Sequence, residues 1–179
     1  MQLKFKQFMV SSRGVAAICR VVVVGAGAVA CATAPVRPDP VATAAAAAAR
    51  AHCDKALVED PRMFSPEVVS SVAPATRSYP FGKSERTVVV GAEIALPAQP
   101  GWTREWLTRN LICHQAHLLL GRASAPQDDA YWLPGRWLEF GVQSRGDAFV
   151  VEIDAPDPES ADVVLTRSRA LVSHRVATP

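Results

Sequence analysis

From Thr87 to Leu96 apolar residues occupy alternate positions (Val88, Val90, Ala92, Ile94, Leu96), and Pro97 ends the run. Period two is the spacing of one face of a strand, so the stretch predicts a half-buried β-strand. Leu138, Phe140 and Val142 alternate against Glu139 and Gln143, Arg145-Gly146-Asp147 turns the chain, and Phe149, Val151 and Ile153 alternate against Glu152 and Asp154. That pattern predicts a hairpin with one buried face. Between these runs the spacing changes to that of a helix from Thr103 to Leu120, with Thr103 as N-cap, Glu105 in the first turn and Gly121 at the C-cap. Asp157-Pro158-Glu159 opens a last helix, whose buried stripe is Ala161, Val164, Leu165, Ser168, Leu171 and Val172.

The earlier part of the chain is patterned less clearly. Val41 to Leu57 contains an unbroken alanine run from Ala44 to Ala49 and predicts a helix with little apolar bulk, the alternative being a low-complexity linker. Asp60-Pro61 breaks it. Ser65-Pro66-Glu67 has the form of a helix start, Val68 to Val72 favours a strand, and Pro74 to Lys83, with two prolines and Gly82, reads as a loop. Ala123 to Gly135 is a second loop.

Two segments then share one plan of strand, turn, strand, proline-containing link and helix, the first from Val68 to Gly121 and the second from Leu138 to His174. Ala92-Glu93-Ile94 in the first corresponds to Val151-Glu152-Ile153 in the second. The fold class this implies is α+β: ββα-ββα, a four-stranded, largely antiparallel sheet with two helices on one face, preceded by the alanine-rich helix. The domain organisation is an export signal at 1–30, a proline- and alanine-rich tether at 31–40, the alanine helix at 41–60 and the α+β domain at 61–175.

Charge changes the picture at the N-terminus. The formal net charge is +2, but Lys4, Lys6, Arg13 and Arg20 lie in a segment without Asp or Glu. Removing those four from the 19 basic residues leaves 15 against 17 acidic ones. The basic character therefore belongs to the leader, and a nucleic-acid partner has no compositional support. A basic stretch ending at Arg20, the short apolar run from Val21 to Ala30 and the sequence Ala28-Val29-Ala30-Cys31 have the layout of a lipoprotein export signal. Cys31 is then the lipidation site, the membrane is a partner through that N-terminal lipid anchor, and the location is the cell envelope, outer membrane facing the periplasm. Ordinary secretion with cleavage near Ala30 and an uncleaved anchor are the alternatives. Arg20 interrupts the apolar stretch, so Met9 competes with Met1 as the start.

Export leaves Cys53 and Cys113 as an even pair in an oxidising compartment, where a disulfide is expected. The competing reading keeps Cys113 as a thiolate beside His114 and His117, a soft set suited to Cu or Zn, with His52 or Cys53 completing it. Otherwise no cofactor is implied. A cysteine nucleophile with histidine as base, in a cryptic thiol enzyme or hydrolase, is a third reading, disfavoured because adjacent helical side chains diverge by about 100°. Trp102, Trp106, Trp132 and Trp137 bracket the central helix, either as core or as an aromatic-lined ligand groove. Arg167, Arg169 and Arg175 read as a solvated face.

Ser65-Pro66, Gly91-Ala92, Leu96-Pro97-Ala98, Gly101, Thr103, Glu105-Trp106-Leu107 and Cys113-His114-x-Ala116 resemble uncharacterised lipoprotein or secreted domains of Gram-negative bacteria, from about Cys53 to Val172. Relatives continue after Ser-Pro with aromatic residues and a histidine, where this chain has Glu67-Val68-Val69. The resemblance implies export and carries no assigned activity. The expectation is a non-enzymatic envelope lipoprotein whose small α+β module binds a ligand or serves a structural role.

Overall fold

The structure, a computed structural model, describes residues 38–53, 60–124, 126 and 128–176, the last three by backbone alone. The expected export signal, Cys31 and residues 31–37 lie outside the described residues, as do 54–59. The elements run α1 (Pro40–His52), two short 3-10 turns (Pro61–Phe64 and Pro66–Val68), β1 (Ser71–Phe81), β2 (Ser84–Pro97), α2 (Arg104–Leu119), β3 (Glu139–Arg145), β4 (Ala148–Asp154) and α3 (Pro158–Val176). The four strands form one antiparallel sheet in the order β1-β2-β4-β3. This is the α+β arrangement that the paired strand–strand–helix plan predicts.

The register carries the internal echo into three dimensions. At the centre of the sheet Ala92 pairs with Ile153, Glu93 with Glu152 and Ile94 with Val151. Exchanging the two echo segments maps this register onto itself about the Glu93–Glu152 pair, as a duplicated strand–strand–helix unit closing on a two-fold axis requires. One face of the sheet supplies Ala92, Ile94, Leu96, Val142, Phe149, Val151 and Ile153 to the core, against Leu107 and Leu111 of α2 and Val164 and Leu165 of α3. Met63, in the first 3-10 turn, and Val69, just after the second, belong to the same core.

Helix α2 is the most enclosed of the helices. Thr103 caps it, its hydroxyl accepting from the Trp106 amide, and Gly121 leaves it with φ +65°. Its buried side chains are Leu107, Asn110, Leu111, Cys113, Gln115, Ala116 and Leu118. At 100° per residue these spread over about 260° of the circumference. The sheet takes one side. On another side Ala45 and Ala49 of α1 pack on Ala116, with Leu119, Leu120 and Trp137 around them. Helix α1 starts at Pro40 because Asp39 caps it, accepting from the Val41 amide. The last residues assigned above to the tether therefore belong to this helix cap and first turn.

Three expectations are corrected. The stretch 74–83 is strand and turn, since β1 runs through Pro74 and Pro80 to Phe81. The reason is position: β1 is an edge strand, where a proline removes no ladder donor if its nitrogen faces outward. Ser65-Pro66-Glu67 starts only a single 3-10 turn, and the strand placed at Val68 begins at Ser71. Val88 and Val90 are half-buried rather than core, because a bulge breaks the alternation: Ala75 faces Gly91 but Thr76 faces Val89. The displaced Val90 carbonyl accepts from the Ala155 amide, so the irregularity leaves no orphan there.

Gly91 is the position where the backbone tolerates no side chain. A Cβ on it would lie 1.8 Å from the Ile153 carbonyl oxygen, a backbone atom that cannot swing aside. On Gly141 of β3 an added Cβ would meet only the Glu152 side chain at 3.6 Å, an ordinary contact. Gly91→Ala is expected to cost at least about 3 kcal/mol in urea unfolding, and Gly141→Ala less than about 0.5 kcal/mol. Equal midpoints for the two variants would contradict the close approach of β2 and β4.

Candidate functional site

Cys113, His114 and Asn110 of α2 are each drawn into a structural contact. Cys113 is fully buried and disulfide-bonded to Cys53, at the C-cap of α1, with the Cα atoms 5.4 Å apart. His114, 13% exposed, places Nε2 2.8 Å from Oδ2 of Asp129, itself 6% exposed, and stacks on Phe64 with ring centroids 4.0 Å apart. His117 is half-buried in the last turn, and the Arg122 amide donates to its carbonyl. Asn110 donates to the Trp106 carbonyl, while its buried Oδ1 has no hydrogen-bond partner among the described residues.

Gln115 is a buried polar residue that ties α2 to the chain entering β3. It is fully buried, its Oε1 accepts from the Leu138 amide at 2.8 Å, and its Nε2 donates to the Leu138 carbonyl at 3.0 Å. The chain entering β3 is thereby pinned to α2 by a side chain that imitates a strand partner. Asp129 fixes the preceding loop, its Oδ1 accepting from the Tyr131 amide. Arg167 of α3 grips the same loop through the carbonyls of Asp129 and Trp132, both at 3.0 Å. Arg167 is thus a half-buried clamp, correcting its placement on a solvated face. Tyr131 is buried beside Phe64, and desolvation, with the Asp129 charge second, pushes its phenol above the usual range.

The four tryptophans do not converge. Trp102 and Trp106 stack on each other at 5.7 Å and pack on the main core, and Trp132 is held in the Arg167 loop. Trp137 packs on the alanine cluster and lines a cleft of about 210 Å³ with Arg77, Glu139, Asp154, Ala155 and Pro156. Arg77 pairs with Asp154. β1 and β4 are not neighbours, so this contact crosses β2 near Gly91, which pairs with Asp154 and raises no side chain in the way. The Asp154 carboxylate raises the Arg77 guanidinium pKa further. Oδ1 of Asp154 is buried without a hydrogen-bond partner among the described residues, and Glu139 lies directly across the ladder from it. The cleft thus combines an aromatic wall, two carboxylates and a guanidinium, groups suited to a small polar ligand.

Among the described residues no three His, Cys, Asp or Glu side chains are grouped to hold a metal ion. Cys113, His114 and His117 do not form such a group, because the disulfide consumes the thiolate and His114 faces Asp129. The same bond takes the nucleophile from a thiol mechanism. No family model, curated protein or solved structure matches the chain.

Sequence reasoning missed Arg77, Glu139 and Asp154 because their meeting depends on strand order and on the bulge. It missed Asp129 as the partner of His114 because the loop gives no periodic signal. Gln115 was legible in principle, as a polar residue at a position that the helix buries. Replacing it with the similarly sized Gln115→Leu leaves the Leu138 amide and carbonyl buried and unpaired. The expected cost is about 2–4 kcal/mol in urea unfolding, and a loss below about 0.5 kcal/mol would show that the two bonds contribute nothing net.

Proposed function

We propose that this chain is a non-enzymatic module of the bacterial cell envelope, exported, held at the membrane by a lipid on Cys31, and acting by binding rather than by catalysis. The observation that carries the reading is the Cys53–Cys113 disulfide. Such bonds form and persist in oxidising compartments, which agrees with an export signal ending in Ala28-Val29-Ala30-Cys31. The commitment of Cys113, His114 and Gln115 to structural contacts supports a domain built to hold its shape, and the cleft beside Trp137 is its candidate ligand site.

Two-phase detergent partitioning of the protein made in a Gram-negative host tests the anchor. The wild-type chain is expected in the detergent phase and Cys31→Ser in the aqueous phase. A wild-type product that is water-soluble and carries no lipid by intact mass would overturn the lipoprotein reading.

A further inference from the structure

The β1–β2 hairpin is longer than the sheet needs. β4 pairs with β2 only from Gly91 to Pro97, whereas β1 and β2 remain paired out to Phe81 and Ser84. Under the two-fold relation, Ala148 at the start of β4 corresponds to Val89. The second unit therefore has no counterpart to the arm running from Thr76 to Val89. The bulge at Ala75/Thr76 marks its base. Every residue from Thr76 to Thr87 is exposed, so the arm contributes nothing to the core.

The two faces of this arm differ in chemistry. Cross-strand partners share a face, so one face carries Arg77 with Val88, Tyr79 with Arg86, and Phe81 with Ser84. The other carries Thr76 with Val89, Ser78 with Thr87, and Pro80 with Glu85. The arm's only acid, Glu85, is on the second face. The first has two aromatics, two arginines and no acid, and Lys83 sits in the turn beside Phe81. Among the described residues four large apolar side chains are exposed, and three of them (Tyr79, Phe81 and Val89) are on this arm. Phe81, at the tip, is 70% exposed, and Tyr79 is 46% exposed. Side chains left in water contribute no burial free energy, and an isolated two-stranded ribbon is marginal, so the core gives the arm's composition no structural reason.

We propose that this arm is a membrane-docking element, whose Arg77/Tyr79/Phe81 face lies on an anionic lipid surface with Phe81 entering the interface. Aromatic rings at the headgroup level, flanked by Lys and Arg, are the chemistry that an anionic bilayer surface selects. Charge complementarity decides among occupants. A second copy of the arm would bring Lys83 and Arg86 against their own likeness, and nucleic acid has no support in the charge of the chain, which outside the basic N-terminal segment carries 15 basic against 17 acidic residues. Arg77, tied to Asp154, fixes the arm's base to the sheet while Arg86 and Lys83 remain at the surface. The proposal stands on the arm's geometry and does not rest on lipidation of Cys31.

The test uses the full chain carrying Cys31→Ser, recovered from the soluble envelope fraction so that no lipid contributes. Its co-sedimentation is measured with vesicles of phosphatidylcholine alone and of phosphatidylcholine mixed with phosphatidylglycerol. Binding is expected only to the anionic vesicles, and it should weaken with added salt. Phe81→Ser should lower it about tenfold or more, and Lys83→Glu with Arg86→Glu should abolish it. Val163→Ser, which removes the exposed large apolar side chain that lies outside the arm among the described residues, should leave it unchanged. These positions are exposed, so each variant should retain the wild-type far-UV spectrum. Equal binding by all variants, binding to neither vesicle, or an arm-dependent dimer by light scattering would each overturn the proposal.

Discussion

A helix buried around most of its circumference cannot be served by one packing partner, and α2 is such a helix. The sheet receives Leu107 and Leu111, and a second layer has to cover Ala116 and the Cys113 side. That layer is α1, which offers alanines. Small side chains let two helices approach closely, but each buries little area, so their contact alone gains little free energy. The Cys53–Cys113 bond closes the difference. Joining residues 60 apart, it removes denatured-chain freedom equivalent to about 4 kcal/mol in the chain-entropy model. Its location at the C-cap of α1 places the link where that helix would otherwise fray.

The same enclosure explains why α2 carries polar side chains inside. Gln115 and His114 point where the sheet leaves unpaired backbone and where a loop must be held. Gln115 satisfies the amide and carbonyl of Leu138, and His114 meets Asp129. Residues that look like chemistry when the helix is read alone act as connectors once its neighbours are in place. Groups available to a partner are displaced to the far side of the sheet and to the hairpin, where Arg77, Glu139, Asp154 and the aromatic arm lie.

Much of the fold was legible because period-two runs in β2, β3 and β4 and the capped helices agree with the final environment of each element. The buried stripe of α3 was readable for the same reason, since Ala161, Val164, Leu165 and Ser168 face one core. β1 was not legible: Pro74 and Pro80 are loop signals wherever both neighbours of a strand must be paired, and only edge placement excuses them. The candidate site was less readable still. The Cys53–Cys113 pairing followed from counting cysteines with the expected export signal set aside, but Asp129, Arg167 and the cleft residues are brought together by loops and by strand order. The wide burial of α2 was hidden too, because a helix covered on several sides loses the single apolar stripe that marks a surface helix.

If the disulfide is what holds the alanine layer on α2, the consequence should appear amide by amide. Hydrogen–deuterium exchange of α1, from Ala44 to His52, compared between oxidised and reduced protein, is the most direct measurement. Reduction is expected to bring α1 close to the exchange rate of an unprotected chain while β2 and β4 remain protected, because their core contains no cysteine. Unchanged protection of α1 after confirmed reduction would contradict it.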